Sequence, residues 1–153
     1  MAIVFVNIGS NLGDKKILIN EAIEKIGSRF GFYCISGLVD SEPWGYESTN
    51  CFLNIGVSFK TEESPEIILK SLQEIERSIS DLSHRDDSGR YCDRKIDIDI
   101  MAIDELEYKS DVLVLPHPHL HERYFFLKPL MELSSDWRHP VLGKSIPEML
   151  RNI

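Results

Sequence analysis

Two hydrophobic periods alternate along this chain and divide it into short elements. Residues 2–8 form an apolar run rich in β-branched side chains, broken by Asn7, and read as a buried strand. The turn-rich stretch Gly9-Ser-Asn-Leu-Gly-Asp14 follows and ends on a suitable helix N-cap. Ile17, Leu18, Ala22, Ile23 and Ile26 then recur at helical spacing, in a helix that stops before Gly27 or Gly31. Residues 33–39 and 52–59 read as strands, the second carrying apolar Phe52, Ile55, Val57 and Phe59. Ser64-Pro65-Glu66 opens a second helix with a cap, a proline at the first helical position and an acid near the positive end of the dipole. Ile67, Ile68, Leu72, Ile75 and Ile79 give that helix its apolar face. Residues 96–103 alternate as a strand, and 112–115 are extended. Residues 120–133 read as a third helix that Pro129 should kink or end, and a short helix starts at Ile146.

This order predicts an α+β domain spanning residues 1–153: a ferredoxin-like βαββαβ antiparallel sheet with helices packed on one face, plus a C-terminal extension. Many unrelated activities use that plan, so fold alone decides little. No internal repeat or low-complexity tract interrupts it. Two long connections stand out, residues 40–51 and 83–95. Loops of that length inside a compact domain are commonly functional, and both are expected to be mobile when empty and to close over ligands.

Composition narrows the classes. At 153 residues, with 42% hydrophobic and 27% charged positions, one globular core is expected. Twenty-five acidic against 17 basic residues give a formal net charge of −8, which argues against nucleic acid as the main partner. No membrane span or secretory leader is expected. Cys34, Cys51 and Cys92 are odd in number and lack a CxxC pair, which suits a reducing cytoplasm.

The most informative stretch is Arg94-Lys-Ile-Asp-Ile-Asp-Ile-Met101. On a strand, Ile96, Ile98 and Ile100 share one face, and Asp97 and Asp99 share the other with Cα atoms roughly 6 to 7 Å apart. Two readings compete: a solvated acidic edge, or a site where a hard cation turns the repulsion between like charges into attraction. Mg²⁺ suits the second, because it binds one or two carboxylates plus phosphate oxygens. Arg85, Arg90, Arg94 and Lys95 lie close by in sequence. They either grip a polyphosphate, which arginine does with bidentate contacts, or pair with Asp86, Asp87 and Asp93 on the surface.

Other signals are weaker. Gly9-Ser-Asn-Leu-Gly13 lacks the P-loop spacing, and Gly143-Lys144-Ser145 lacks the upstream glycine, whose place Arg138 takes. His117, His119 and His121 invite a zinc reading, but no cysteine or fourth ligand lies near and Pro118 bends the chain. No nucleophile elbow is present.

The stretches Asn7-Ile-Gly-Ser-Asn-Leu-Gly-Asp14, Ser41-Glu-Pro-Trp-Gly45, Phe52-Leu-Asn54, Gln73-Glu-Ile-Glu76, Arg94-Lys-Ile-Asp-Ile-Asp99 and Leu115-Pro-His-Pro-His-Leu-His-Glu-Arg123 occur in an order that resembles the hydroxymethyldihydropterin pyrophosphokinase family. That resemblance implies transfer of pyrophosphate from ATP to a pterin alcohol, with two Mg²⁺ held by Asp97 and Asp99. It implies that Arg94, with Arg85 or Arg90, stabilises charge on the migrating group and on departing AMP. His117, Arg123 and Arg90 would contact nucleotide phosphates, with Gln73 and Glu76 near the nucleotide. Asn54 would read the pterin between Phe52 and Phe125, and Ser41, Pro43 and Trp44 would line its pocket. Phe52 is equally readable as plain core, whereas Asn54, polar in an apolar strand, needs a partner.

The chain departs from the family where Arg90-Tyr-Cys-Asp-Arg94 replaces the common Arg-Trp-Gly-Pro-Arg, and the segment from Glu76 to Arg90 is a few residues longer. The place of Arg85 is thereby left open. Val112 and Val114 stand where some members carry a basic residue and a threonine. The expected partners are small molecules only, ATP and a reduced pterin, with no nucleic acid or membrane, in a cytoplasmic monomer or weak homodimer. A metal-dependent phosphohydrolase and a non-catalytic effector-binding module are the rival readings of the same residues.

Overall fold

A computed structural model describes residues 1–42, 51–80 and 96–153. The first strand, β1 (Ala2–Ser10), leads into α1 (Lys15–Phe30). The Asp14 side chain caps this helix by accepting from the Ile17 N–H at 3.2 Å. Gly31, at φ 91°, ends it. Gly27 does not stop the helix; it makes room, since a Cβ there would lie 2.6 Å from the Tyr33 ring.

The strand expected over 33–39 is two strands, β2 (Tyr33–Ile35) and β3 (Val39–Ser41), both antiparallel to β4 (Phe52–Thr61). The break lies at Ser36, whose hydroxyl accepts from the Gly56 N–H at 2.8 Å. Next comes α2 (Pro65–Ile79), capped by Ser64 as its sequence predicts, and then β5 (Asp97–Ile103). The extended stretch near 112–115 is a small hairpin of β6 (Tyr108–Lys109) and β7 (Val114–Leu115). The helix expected over 120–133 is a 3-10 turn at Leu120–Glu122 and α3 (Tyr124–Leu133), separated by extended Arg123. Pro129 lies inside α3 without ending it. The last helix, α4 (Ile146–Arg151), carries a full capping box between Ser145 and Glu148.

The main sheet is five-stranded and antiparallel in its pairings, in the order β2-β4-β1-β5 with β3 also on β4. Its first face carries Val4, Val6 and Ile8 with Ile55, Val57, Ile98 and Ile100. These pack against Ile19, Ala22, Ile23 and Ile26 of α1 and Ile68, Leu72 and Ile75 of α2. The expectation that helices cover one face is corrected on the other side. There Phe5, Met101 and Ala102 pack against Phe126, Leu127 and Leu130 of α3, with Trp137, Ile146 and Met149 behind them. The C-terminal extension is therefore a third layer, required because the central strand β1 is buried on both faces from Val4 to Ser10.

A β-bulge adjusts the fit. Val6 pairs with Ile100 but Phe5 with Ala102, so Met101 is the extra residue. Both Met101 and Ala102 thus turn toward α3, and Ile103 returns to the first core. Among the described residues no helix is long and apolar enough to cross a membrane.

Candidate active site

Beyond Phe5, Met101 and Ala102, the same second face turns polar. Cross-strand pairing sets its side chains in two rows. In one, Asp97 opposes Gly9, Gly9 opposes Asn54, and Asn54 opposes Val39. In the other, Asp99 opposes Asn7 and Asn7 opposes Gly56. Directly opposed residues project to the same side of a sheet. Both aspartates therefore stand on one face, half-buried, with Ile98 and Ile100 behind them in the first core.

Asn54 is buried, and its amide nitrogen donates to the Val39 carbonyl at 3.2 Å and to Ser41 Oγ at 2.7 Å. The Val39 carbonyl can only accept, which fixes the carboxamide orientation. Its oxygen faces Gly9: a Cβ at residue 9 would lie 2.9 Å from Asn54 Oδ1 and 3.3 Å from Phe52 Cδ1. Gly9 thus lets Asn54 and Phe52 lie close over the backbone of β1.

The aspartate strand is held from its outer edge. Glu76 of α2 is buried, and its carboxylate accepts from the Ile98 N–H, which lies between Asp97 and Asp99, at 2.5 Å. A charge-assisted bond to an edge-strand N–H fixes the local backbone and with it both carboxylates.

His117 is tied to the same strand, since its backbone N–H donates to the Met101 carbonyl at 2.9 Å. Its Nδ1 accepts from the His119 N–H at 3.1 Å, and its ring stands edge-on to Phe126 with centroids 5.0 Å apart. Burial, then the Arg123 charge, then His119 push its pKa down to about 3. The ring is neutral at pH 7, with its proton on Nε2. The Arg123 guanidinium lies 4.9 Å from the Phe126 centroid and 5.5 Å from that of Phe125. Asp99 and His117 meet in a cavity of about 350 Å³, closed by Leu69 of α2 and by Ser110, Asp111 and Leu113 before β7. That volume lies in the range of small-molecule pockets.

The structure therefore brings Asp97, Asp99, Asn54, Phe52 and Ser41 to one face, sets His117 beside Asp99, and sets Arg123 beside Phe125 and Phe126. Gln73 is exposed one turn beyond Leu69 on the same side of α2. Pro43, Trp44, Arg85, Arg90 and Arg94 lie outside the described residues, as do most positions of the two long loops. The histidines do not converge: His119 Nδ1 and His121 Nε2 both turn to Glu122, at 3.2 and 3.3 Å. Among the described residues no three His, Cys, Asp or Glu form a metal cluster. Adjacent Asp97 and Asp99 remain a suitable donor set for Mg²⁺, which takes its further oxygens from phosphate and water. Sequence reasoning assigned no role to Asn7, to Gly9 or to Ser110, Asp111 and Leu113 of the cavity wall, although it singled out Val112 and Val114 beside them. The available signal was Asn7, a polar residue in a strand buried on both sides.

Comparison with known proteins identifies the family and the fold. The profile of the 7,8-dihydro-6-hydroxymethylpterin-pyrophosphokinase (HPPK) family matches residues 5–135. A 2-amino-4-hydroxy-6-hydroxymethyldihydropteridine pyrophosphokinase of Porphyromonas gingivalis is 39% identical over 142 residues, covering 92% of this chain and 95% of its own length. The protein of that name from Aquifex aeolicus is 33% identical over 148 residues, covering 97% of this chain and 90% of its own. The crystal structure of wild-type HPPK-DHPS from Plasmodium falciparum superposes on 99% of this chain and 44% of that one, with a TM-score of 0.73 at 15% identity, a likeness of fold. On the family match and on relatives aligned over nearly their whole length, this chain belongs to the 7,8-dihydro-6-hydroxymethylpterin-pyrophosphokinase family.

Proposed function

We propose that this protein transfers pyrophosphate from ATP to the hydroxymethyl group of 6-hydroxymethyl-7,8-dihydropterin, a step of folate biosynthesis. The observation that carries this reading is one sheet face bearing Asp97, Asp99 and Asn54, with Asp99 continuing into the His117 cavity. The pterin hydroxyl oxygen attacks the β-phosphorus of ATP, the bond from that phosphorus to the α-phosphate oxygen breaks, and AMP leaves. The hydroxyl proton passes to solvent. Such a transfer relies on in-line positioning and charge stabilisation more than on covalent chemistry with the protein.

Asp97 and Asp99 would hold two Mg²⁺, which when bound neutralise phosphate charge and lower the pKa of the alcohol. Glu76 keeps the strand that carries them in register. Neutral His117 donates its Nε2 proton to a phosphate oxygen, and Arg123, with Arg85, Arg90 and Arg94 of the 83–95 loop, offsets the anionic charge. Asn54, held by Val39 and Ser41, reads the polar edge of the pterin between Phe52 and Phe125, with Pro43 and Trp44 closing the pocket. Gln73 serves the nucleotide from α2. The strand order fits the ferredoxin-like plan, and the reading takes the protein as a cytoplasmic monomer or weak homodimer.

The test is incubation with ATP, Mg²⁺ and the reduced pterin. AMP release that depends on pterin is the expected result. Release of ADP or phosphate without pterin would reject the transferase in favour of a phosphohydrolase.

A further inference from the structure

Asn7 and Gly56 on the second face and Pro129 of α3 form a device that the reaction itself does not require. α3 approaches β4 so closely at Gly56 that a Cβ there would stand 2.6 Å from Pro129 Cβ and 3.0 Å from Leu133 Cδ1. The residue admitted by this gap is a proline inside a helix. Proline has no N–H, so the carbonyl four residues earlier, that of Phe125, loses its helical donor. Asn7 is the cross-strand neighbour of Gly56, and its buried amide nitrogen donates to the Phe125 carbonyl at 2.8 Å. A donor on the sheet thus replaces the one missing from the helix, at the residue whose ring the proposed function places against the pterin.

We infer that Asn7 is a positioning residue for pterin recognition: by holding the Phe125 carbonyl bared by Pro129, it fixes the first turn of α3 and the stance of the Phe125 ring beside Asn54. This rests on the pterin reading of the site. On its other side Asn7 opposes Asp99, so the residue that holds this turn stands in the same row of the sheet as an aspartate. Without that donor the half-buried carbonyl of Phe125 would have neither a helical nor a sheet partner, which favours a shifted first turn. The nucleotide cavity, walled by α2, β5 and residues 110–118, does not include Asn7 or Phe125. Loss of the Asn7 amide should therefore weaken pterin binding and spare ATP.

A double-mutant cycle tests the idea, because Pro129→Ala restores an N–H four residues from Phe125 while keeping the Cβ that meets Gly56. Dissociation constants are read for 6-hydroxymethyl-7,8-dihydropterin, in the presence of Mg²⁺ and a non-hydrolysable ATP analogue, and for that analogue alone. Asn7→Ala is expected to raise the pterin constant about tenfold and the analogue constant less than twofold, the size of one lost buried hydrogen bond. Adding Pro129→Ala is expected to return the pterin constant to within about threefold of wild type. An unchanged pterin constant in Asn7→Ala, or strictly additive effects in the double variant, would overturn the inference. Should Asn7→Ala alone be too unstable to assay, a folded double variant supports the coupling and an equally unstable one refutes it. If the wild-type protein takes up no pterin, the proposed function fails by itself. Urea midpoints of the same four proteins then judge the Asn7–Pro129 coupling, non-additive for and additive against.

Discussion

The two faces of the central sheet are built from the same strands and do different work. On the first, Val4, Val6 and Ile8 meet α1 and α2 through apolar contact alone, and their role ends with stability. On the second, Phe5 and Met101 are core, yet two residues further along each strand stand Asn7 and Asp99, and two further again Gly9 and Asp97. A strand period of two lets one chain segment keep a dry core on one side while the other side changes from packing to chemistry within two residue pairs. Reactive groups mounted this way inherit the rigidity of the core directly behind them, which loops alone do not supply.

If the faces divide labour in this way, substitutions should separate catalysis from stability. The largest effect is expected at Asp99→Asn, which should lower pterin-dependent AMP release by about a thousandfold, the order expected when charge stabilisation of a transferring phosphate is lost. Its urea midpoint should stay near wild type; a large fall in stability with turnover retained would contradict the division. Ile8→Ala, directly behind the site on the first face, should do the reverse and cost about 2–5 kcal/mol of unfolding free energy. Turnover per folded molecule, measured by active-site titration alongside urea unfolding, should change little.

Gly9→Ala sharpens the comparison because it alters neither core nor charge. The added methyl would displace the Asn54 carboxamide and the Phe52 ring. Pterin binding should weaken about tenfold, while an ATP analogue binds as before in a calorimetric titration.

The last effect concerns pH. With the His117 pKa at about 3 in the folded protein, against an ordinary value of 6.5, the unfolded chain takes up a proton below pH 6.5 that the native chain refuses until about pH 3. Stability is therefore lost as pH falls through that window, by up to about 1.4 kcal/mol per pH unit from this group. His117→Gln should remove that part of the slope in urea unfolding between pH 6 and pH 4. An identical slope in both proteins would show that His117 is not the half-buried neutral group described above.

Local signals were reliable where a single element decides its own form. The Asp14 and Ser64 caps, the apolar stripe of α2 and the alternation around Asp97 and Asp99 all stand as their residues imply. Errors arose where a second element decides. Residues 33–39 read as one strand because nothing in them announces that Ser36 serves the Gly56 N–H. Pro129 reads as a kink or an end to its helix, and it does not end it, because the donor that makes it tolerable is 122 positions away in sequence, at Asn7. The second helical layer is not legible in the sequence, because an extension with its own apolar face does not say which surface it will cover.

The sequence alone thus determined the α+β element order, the pairing of the two aspartates on one side of a strand, and the family, since these depend on residue type and short-range spacing. Only the tertiary structure decided that Asp97, Gly9 and Asn54 form one row, that Glu76 anchors the strand between the aspartates, and that His117 is neutral. Each of these follows from strand register and burial, which arise when distant segments pack, and neither quantity is encoded in any local stretch of the chain.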